Sequence, residues 1–402
     1  MRVLAAILPP ARAERTIEVC TAVYLATLFT RWGELPAAAA WIGALVWLFA
    51  APKPYLAALG RDRLVQVWLA LLAWALASAA WSTHAAATLA EWYASFDDHL
   101  LAVPLLVHLL ATGRAQKLAR MLAWAAIVVV ALNALQYLDD IRKGIIAAPE
   151  NWVRHRKWAY PLVLFAPFLM LRMVQSAGHA RALWSGALLV TAFMVLGTGA
   201  RGAWLALAVA AAIFGGWLLR RQRRAALGTL AALALAVPLF LLLPQGAVVK
   251  QRLAQGFDTT GRVAGTWRPA LDMTAQRPWL GHGLGMRVYH EEYLRQAPAH
   301  PQWFFGNKPM SPHNFFLMAL FGLGLPGLAL TLALAVQLAA RFIAQLRNAV
   351  PADALLPLAL LASFVAHFLV RGSFETLSWP PLAIYVGCAA GLTLAPRDGG
   401  PA

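Results

Sequence analysis

Residues 311–340 read Ser311-Pro312-His313-Asn314-Phe315-Phe316 and then LMALFGLGLPGLALTLALAVQLAA, a run of residues 317–340 without one ionisable side chain. An α-helix needs about 20 mostly apolar residues to cross the hydrocarbon core of a bilayer. This stretch therefore reads as a membrane span entered through a short polar threshold. Immediately upstream, from about Pro244 to Pro312, lies a polar and basic island carrying Arg262, Arg268, Arg277 and Arg287. In a chain built for lipid, such an island is where water and polar substrates can reach.

The rest of the chain fits that reading. Hydrophobic residues make up 61% of its 402 residues and charged ones 13%, against roughly 25% charged in a soluble domain. The expected fold class is an all-α integral membrane protein with about twelve transmembrane helices and one large, partly helical periplasmic loop. Apolar runs bounded by Gly, Pro or charge place nine spans within residues 1–243, near 16–31, 35–51, 64–81, 97–111, 117–138, 158–174, 181–197, 202–219 and 225–243. The large loop takes 244–312. Three more spans, near 313–340, 354–371 and 379–395, fall in 313–402 with a short cytoplasmic tail. Cys20 and Cys388 both sit in apolar runs, so neither a disulfide framework nor a cysteine metal site is expected.

Charge sets the expected orientation. Alternate short connections carry Lys53, Arg61 and Arg63; Arg114, Lys117 and Arg120; Arg172 and Arg181; Arg220, Arg221, Arg223 and Arg224; and Arg341 and Arg347. By the positive-inside rule these are cytoplasmic. The apolar stretch within the first fifteen residues is too short for a signal peptide, so both termini are expected in the cytoplasm. The island and the connections bearing Asp97, Asp98, Asp139 and Asp140 then face outward. That outer side is unusually basic, through Arg154, Arg156, Lys157, Arg201, the island and Arg371. Either these groups meet an anionic partner or they snorkel to phospholipid headgroups.

Several residues could carry chemistry. Arg201, within Gly199-Ala200-Arg201-Gly202, stands in a tight outer turn where a guanidinium and a helix start could grip a phosphate, or where it simply anchors the helix at the interface. Arg154-His155-Arg156-Lys157 ends at Trp158 and so lies at headgroup height, as a phosphate contact or a solvated face. In the island, 270–275 reads as a short helix, and Gly281-His282-Gly283-Leu284-Gly285 as a flexible turn with a structural histidine. Ser311 can cap a helix with Pro312 at its first position and His313 in its first turn. A neutral imidazole there could act as general base for a hydroxyl, or merely cap a helix. The paired aspartates could hold a divalent ion, but the excess of arginine offers a way to neutralise a diphosphate without one.

Taken in order, Thr198-Gly199-Ala200-Arg201-Gly202-Ala203-Trp204, Arg262 with Trp267, Pro278-Trp279-Leu280-Gly281-His282-Gly283, and Pro312-His313-Asn314-Phe315-Phe316 with Gly322 and Gly324 resemble the O-antigen ligase family. Its wider superfamily includes O-antigen polymerases and protein O-oligosaccharyltransferases. The resemblance implies a glycosyltransferase at the periplasmic face of the bacterial inner membrane. It would move a glycan from undecaprenyl diphosphate to a lipid A-core sugar without a metal or cofactor. Carried over by motif, the catalytic residues are His313, Arg201 and Arg262. Arg268, Arg154, Arg156 and Lys157 follow as diphosphate contacts, then Asn314 and His282 as further substrate contacts. Arg262 stands one residue further from its tryptophan than the family pattern, so Arg268 is a candidate to share its role. The expected partners are the two lipid substrates and membrane lipids, with no nucleic acid. A polymerase or protein oligosaccharyltransferase using the same donor is the near alternative. A lipid-linked glycan flippase is the distant one, since it would favour charges along mid-membrane faces.

Overall fold

A computed structural model describes residues 9–30, 34–51, 53–144, 159–221, 223–242, 246–254, 260–303, 305–350 and 353–395. Among these residues there are helices and turns but no strand. The helices are α1 Pro10–Thr27, α2 Glu34–Ala50, α3 Leu56–Gly60, α4 Arg63–Ala77, α5 Ala85–Ala111, α6 Ala115–Arg142, α7 Ala159–Gln175 and α8 Gly178–Gly197. They continue with α9 Arg201–Arg221, α10 Arg223–Leu242, α11 Gly246–Ala254, α12 Arg268–Gln276, α13 Met286–Gln296, α14 Phe315–Asn348, α15 Leu355–Ser363 and α16 Pro380–Leu394.

Each of the twelve apolar runs coincides with one helix. Seven described helices are long and apolar enough to cross a membrane, including Arg63–Ala80 and Leu355–Ser373, where the helical path runs past α4 and α15. Three others, α2, α7 and α16, are apolar but shorter. The chain is a multi-pass membrane protein. In lipid, apolar attraction between helices is weak, and close approach over small residues supplies the packing instead. The seam between α16 and α5 shows this: a Cβ on Gly387 would stand 2.9 Å from Leu106 Cβ, and one on Gly391 would stand 2.8 Å from Leu110 Cβ.

One end of the bundle is tied by charge. Asp62 caps α4 by accepting from the Leu64 amide at 2.8 Å, and Arg341 of α14 donates to both its carboxylate oxygens at 2.6 and 2.7 Å. A two-pronged guanidinium pair of this kind fixes orientation as well as distance. Nearby chain ends are tied similarly, Glu14 and Glu18 of α1 to Arg114, and Glu18 to Lys117 of α6.

The island at the other end has its own core. Ala270 and Met273 of α12 pack with Val288, Tyr289 and Tyr293 of α13, with Trp303, and with Phe321 of α14. Trp303 Nε1 also donates to Asp272 at 2.9 Å. The expected flexible turn is instead docked on α14. The His282 and Gly283 amides donate to the carbonyls of Phe321 and Gly322 at 3.0 and 2.9 Å, and the Leu325 amide donates to that of Pro278 at 2.8 Å. This is possible because α14 breaks at Gly324, whose φ of 68° and ψ of −170° are not helical, just before Pro326. The freed carbonyl of Leu323 takes the Trp74 indole at 2.8 Å. Glycines serve close approach here: a Cβ on Gly281 would lie 2.7 Å from the Gly324 nitrogen.

Candidate functional site

At the island end the starts of α7, α9 and α14 and the connection between α15 and α16 come together. Arg201 opens α9 after a left-handed Gly199 with φ of 61°. Its neighbour Gly202 lies so close to Phe374 that an added Cβ would stand 3.0 Å from the phenylalanine Cβ. From the island, Arg262 Nη1 donates to the Phe374 carbonyl at 2.6 Å and approaches the His313 carbonyl at 3.4 Å. Arg262 also stands over the Phe374 ring. Wide π-type turns run from Val263 to Trp267 and from Phe364 to Val370, so one directly follows Arg262 and the other directly precedes Arg371. Such turns often accompany functional sites, because they redirect a side chain without breaking a helix.

His313 differs from its expected place. The helix is capped by Asn314, whose side chain accepts from the Leu317 amide at 3.0 Å, so α14 begins at Phe315 and His313 lies just before the cap. Ser311 and Pro312 are thus not its cap and first turn. An asparagine three residues before the amide it caps competes well for that role. Among the described residues His313 is the one non-glycine with positive φ, at 46°. A residue with a Cβ is strained there by roughly 1–2 kcal/mol. Its Nδ1 donates to Glu375 Oε2 at 3.0 Å, and Asn314 Nδ2 donates to the Ser373 carbonyl at 3.3 Å.

Three site residues escaped the sequence reading or its emphasis. The Tyr160 hydroxyl lies 3.5 Å from Glu375 Oε2. Arg371 lies 3.6 Å over the Tyr160 ring, is 1% exposed, and leaves Nε and Nη1 without hydrogen-bond partners. Glu375 is largely buried, which pushes its carboxyl up, but the hydrogen bond and charge of His313, with Arg371 and Arg262, outweigh burial and hold it below its ordinary value. A signal existed: Glu375 is the one acid between Ala354 and Arg397, four residues after an arginine in a short connection between apolar runs.

The other expected residues divide. Arg268 points outward, 57% exposed, 4.0 Å from Asp272. His282 is 1% exposed, stacked on Phe321, and donates from Nε2 to the Met273 carbonyl at 2.8 Å. Burial lowers its pKa, only partly offset by that bond. Arg154, Arg156 and Lys157 lie outside the described residues. No group of three or more potential His, Cys, Asp or Glu metal ligands occurs among the described residues. Asp139 pairs with Lys143 at 2.5 Å, and Asp140 accepts from Gln136 at 3.0 Å.

What fold and site define together is an all-helical membrane protein with arginines, an imidazole and a carboxylate gathered where spans meet a polar cap. Residues 186–332 match the family model described as O-antigen ligase. The chain is also 25% identical over 261 residues to the O-antigen ligase of Salmonella typhimurium, an alignment covering 63% of this chain and 63% of that protein. The resemblance read from the four motifs is borne out. Arg201, Arg262, Arg268, His282, His313 and Asn314 fall inside the matched segment, whereas Tyr160, Arg371 and Glu375 fall outside it.

Proposed function

We propose that the chain is a glycosyltransferase of the O-antigen ligase type. It takes a glycan from undecaprenyl diphosphate and joins it to a hydroxyl of a lipid A-core sugar at the periplasmic face of the inner membrane. Twelve spans with both termini in the cytoplasm are the topology that goes with this reading, and the site then sits at headgroup height. The observation that carries it is the meeting of His313 and Arg262, the first aimed by a strained backbone and the second bonded to the carbonyl beside it. The family match and the Salmonella relative, both described as O-antigen ligase, support this choice of substrates.

The chemistry balances with these side chains alone. The acceptor O–H gives its proton to His313 Nε2 as its oxygen attacks the anomeric carbon of the donor. A new C–O glycosidic bond forms, the bond from that carbon to the diphosphate oxygen breaks, and the electron pair leaves on the lipid diphosphate. Direct displacement inverts the anomeric carbon. Arg201 and Arg262 meet the growing charge on the leaving group, Arg154, Arg156 and Lys157 add to it from before α7, and Arg268 stands at the rim. Arginine remains cationic at every working pH and grips phosphate oxygens in pairs.

Purified protein in liposomes, given both lipids with and without chelator, tests the proposal. Glycan appearing on the core lipid in both conditions is the expected result. Growth of glycan on the lipid carrier instead would make the chain a polymerase. Movement of donor across the bilayer with no transfer would make it a flippase and refute the enzyme.

A further inference from the structure

We propose that Glu375 is the positioning residue for His313, its carboxylate holding the ring in the tautomer and orientation that leave Nε2 as proton acceptor. The inference rests on the glycosyl-transfer reading above. Four observations converge on it. His313 Nδ1 and Glu375 Oε2 are 3.0 Å apart although 62 residues separate them in sequence. A carboxylate that accepts from one ring nitrogen fixes the proton there and the lone pair on the other. His313 Nε2 makes no hydrogen bond among the described residues, and the ring is more open than its partner, 34% against 18% exposed. The backbone of His313 is left-handed, a strained state that persists only where its surroundings impose it.

The electrostatics explain why the acid is available for this task. A buried carboxyl would ordinarily take up a proton and become a donor, useless for orienting Nδ1–H. Here Arg262 stands one residue away on the Phe374 carbonyl and Arg371 stands on the other side, across Tyr160. Among the described residues Arg371 forms no ion pair within 4.0 Å and leaves two N–H groups unbonded, so it does not take up Glu375 in a structural salt bridge. The Tyr160 hydroxyl lies 3.5 Å from the same oxygen, and His367 sits on the wide turn before Arg371, near Arg371 and Tyr160. Against burial, the imidazole and the two guanidinium charges keep Glu375 ionised with its bonding oxygen directed to His313. The arrangement is an acid–imidazole dyad assembled from two separate connections between spans.

Steady-state transfer by full-length protein in liposomes, as a function of pH, tests the dyad with Glu375→Gln and Glu375→Asp. Wild-type protein that transfers no glycan overturns the function reading and this inference with it. Given wild-type transfer, Glu375→Gln is expected to lower kcat by at least about 100-fold, the scale of general-base assistance, with KM for both lipids within about 3-fold. The acidic limb of its pH profile moves to lower pH, because an imidazole without an adjacent anion accepts a proton less readily. Glu375→Asp keeps the charge, so the limb stays and part of kcat returns. A Gln variant that loses activity only in step with its melting temperature, with the limb unmoved, overturns the proposal. So does one with wild-type kcat. If the Gln variant does not fold, the Asp variant decides: retained transfer with an unmoved limb supports the dyad, and folded but inactive protein refutes it.

Discussion

Replacing Gly281 by alanine tests whether the island is held to the membrane part by backbone contact, as the geometry requires. Gly281 has φ of 70°, so any Cβ costs about 1–2 kcal/mol of conformational strain. The new methyl would also lie 2.7 Å from the Gly324 nitrogen and closer still to the Gly322 carbonyl, both backbone atoms that cannot rotate away. Overpacking of this kind adds about 1–3 kcal/mol. The expected loss is therefore about 2–5 kcal/mol. It should fall on the bonds from His282 and Gly283 to the broken helix, which seat the island beside His313. Gly306→Ala is the internal control: its φ is 52°, yet nothing lies within 4 Å of an added Cβ. That variant should lose only the conformational part, about 1–2 kcal/mol. Thermal unfolding in one detergent, with transfer assayed on the same preparations, separates the two. Equal melting temperatures for Gly281→Ala and Gly306→Ala would refute the claim that contact with α14, rather than turn shape, makes glycine necessary.

Other expectations follow from the site. His313→Ala and Arg201→Ala should each lower transfer by about 100-fold or more while leaving melting temperature within a few degrees, since one removes the base and the other a fixed cation; normal transfer by a well-folded His313→Ala protein would end the general-base assignment. Arg262→Lys should lose transfer by roughly 10- to 100-fold, because an ammonium can satisfy the Phe374 carbonyl but not also grip a diphosphate in pairs, whereas exposed Arg268→Ala should lose less. Glu292 is fully buried in the island, and although burial raises its carboxyl, Thr83 and Arg295 bring it below the ordinary value. Its ionised form thus stabilises the fold above the usual carboxylate range, and that contribution is lost as pH falls through its lowered value. The difference in melting temperature between wild type and Glu292→Gln should accordingly be full at pH 6–7 and close as pH drops below about 4.

How much of this was legible follows from how far each signal reaches along the chain. Hydropathy is local, so all twelve apolar runs could be found, and each is a helix. The basic island was equally visible as a break in that pattern, and the motif order placed Arg201, Arg262 and His313 at one face before any contact was known. The tautomer-fixing partner was not visible, because the stretch between His313 and Glu375 contains a whole hairpin of spans, and nothing local says that the two connections meet. The start of α14 was misplaced for a related reason. Ser311-Pro312 has a good local signature, but the cap is decided by which side chain reaches the Leu317 amide, and Asn314 does. Gly281-His282-Gly283-Leu284-Gly285 looked mobile because glycine serves both flexibility and close approach, and sequence does not distinguish them.

The position of the site has a physical reason. Irregular backbone at membrane depth survives only when protein covers it or when it lines a polar space. In this chain the wide turns before Arg268 and Arg371, the left-handed His313 and the break at Gly324 all cluster toward the island. Each leaves or redirects backbone groups, and each is answered locally: the Phe374 carbonyl by Arg262, the Leu323 carbonyl by Trp74, the Phe321 and Gly322 carbonyls by the docked turn. Among the described residues the buried side-chain groups left without partners toward this end include the two Arg371 N–H groups, Trp267 Nε1, His282 Nδ1, the Tyr289 and Tyr293 hydroxyls, His367 Nδ1 and Thr376 Oγ1, and His313 Nε2 makes no hydrogen bond. On the proposed reading the open His313 ring, held beside a carboxylate and a buried guanidinium, is poised for a hydroxyl from outside the chain.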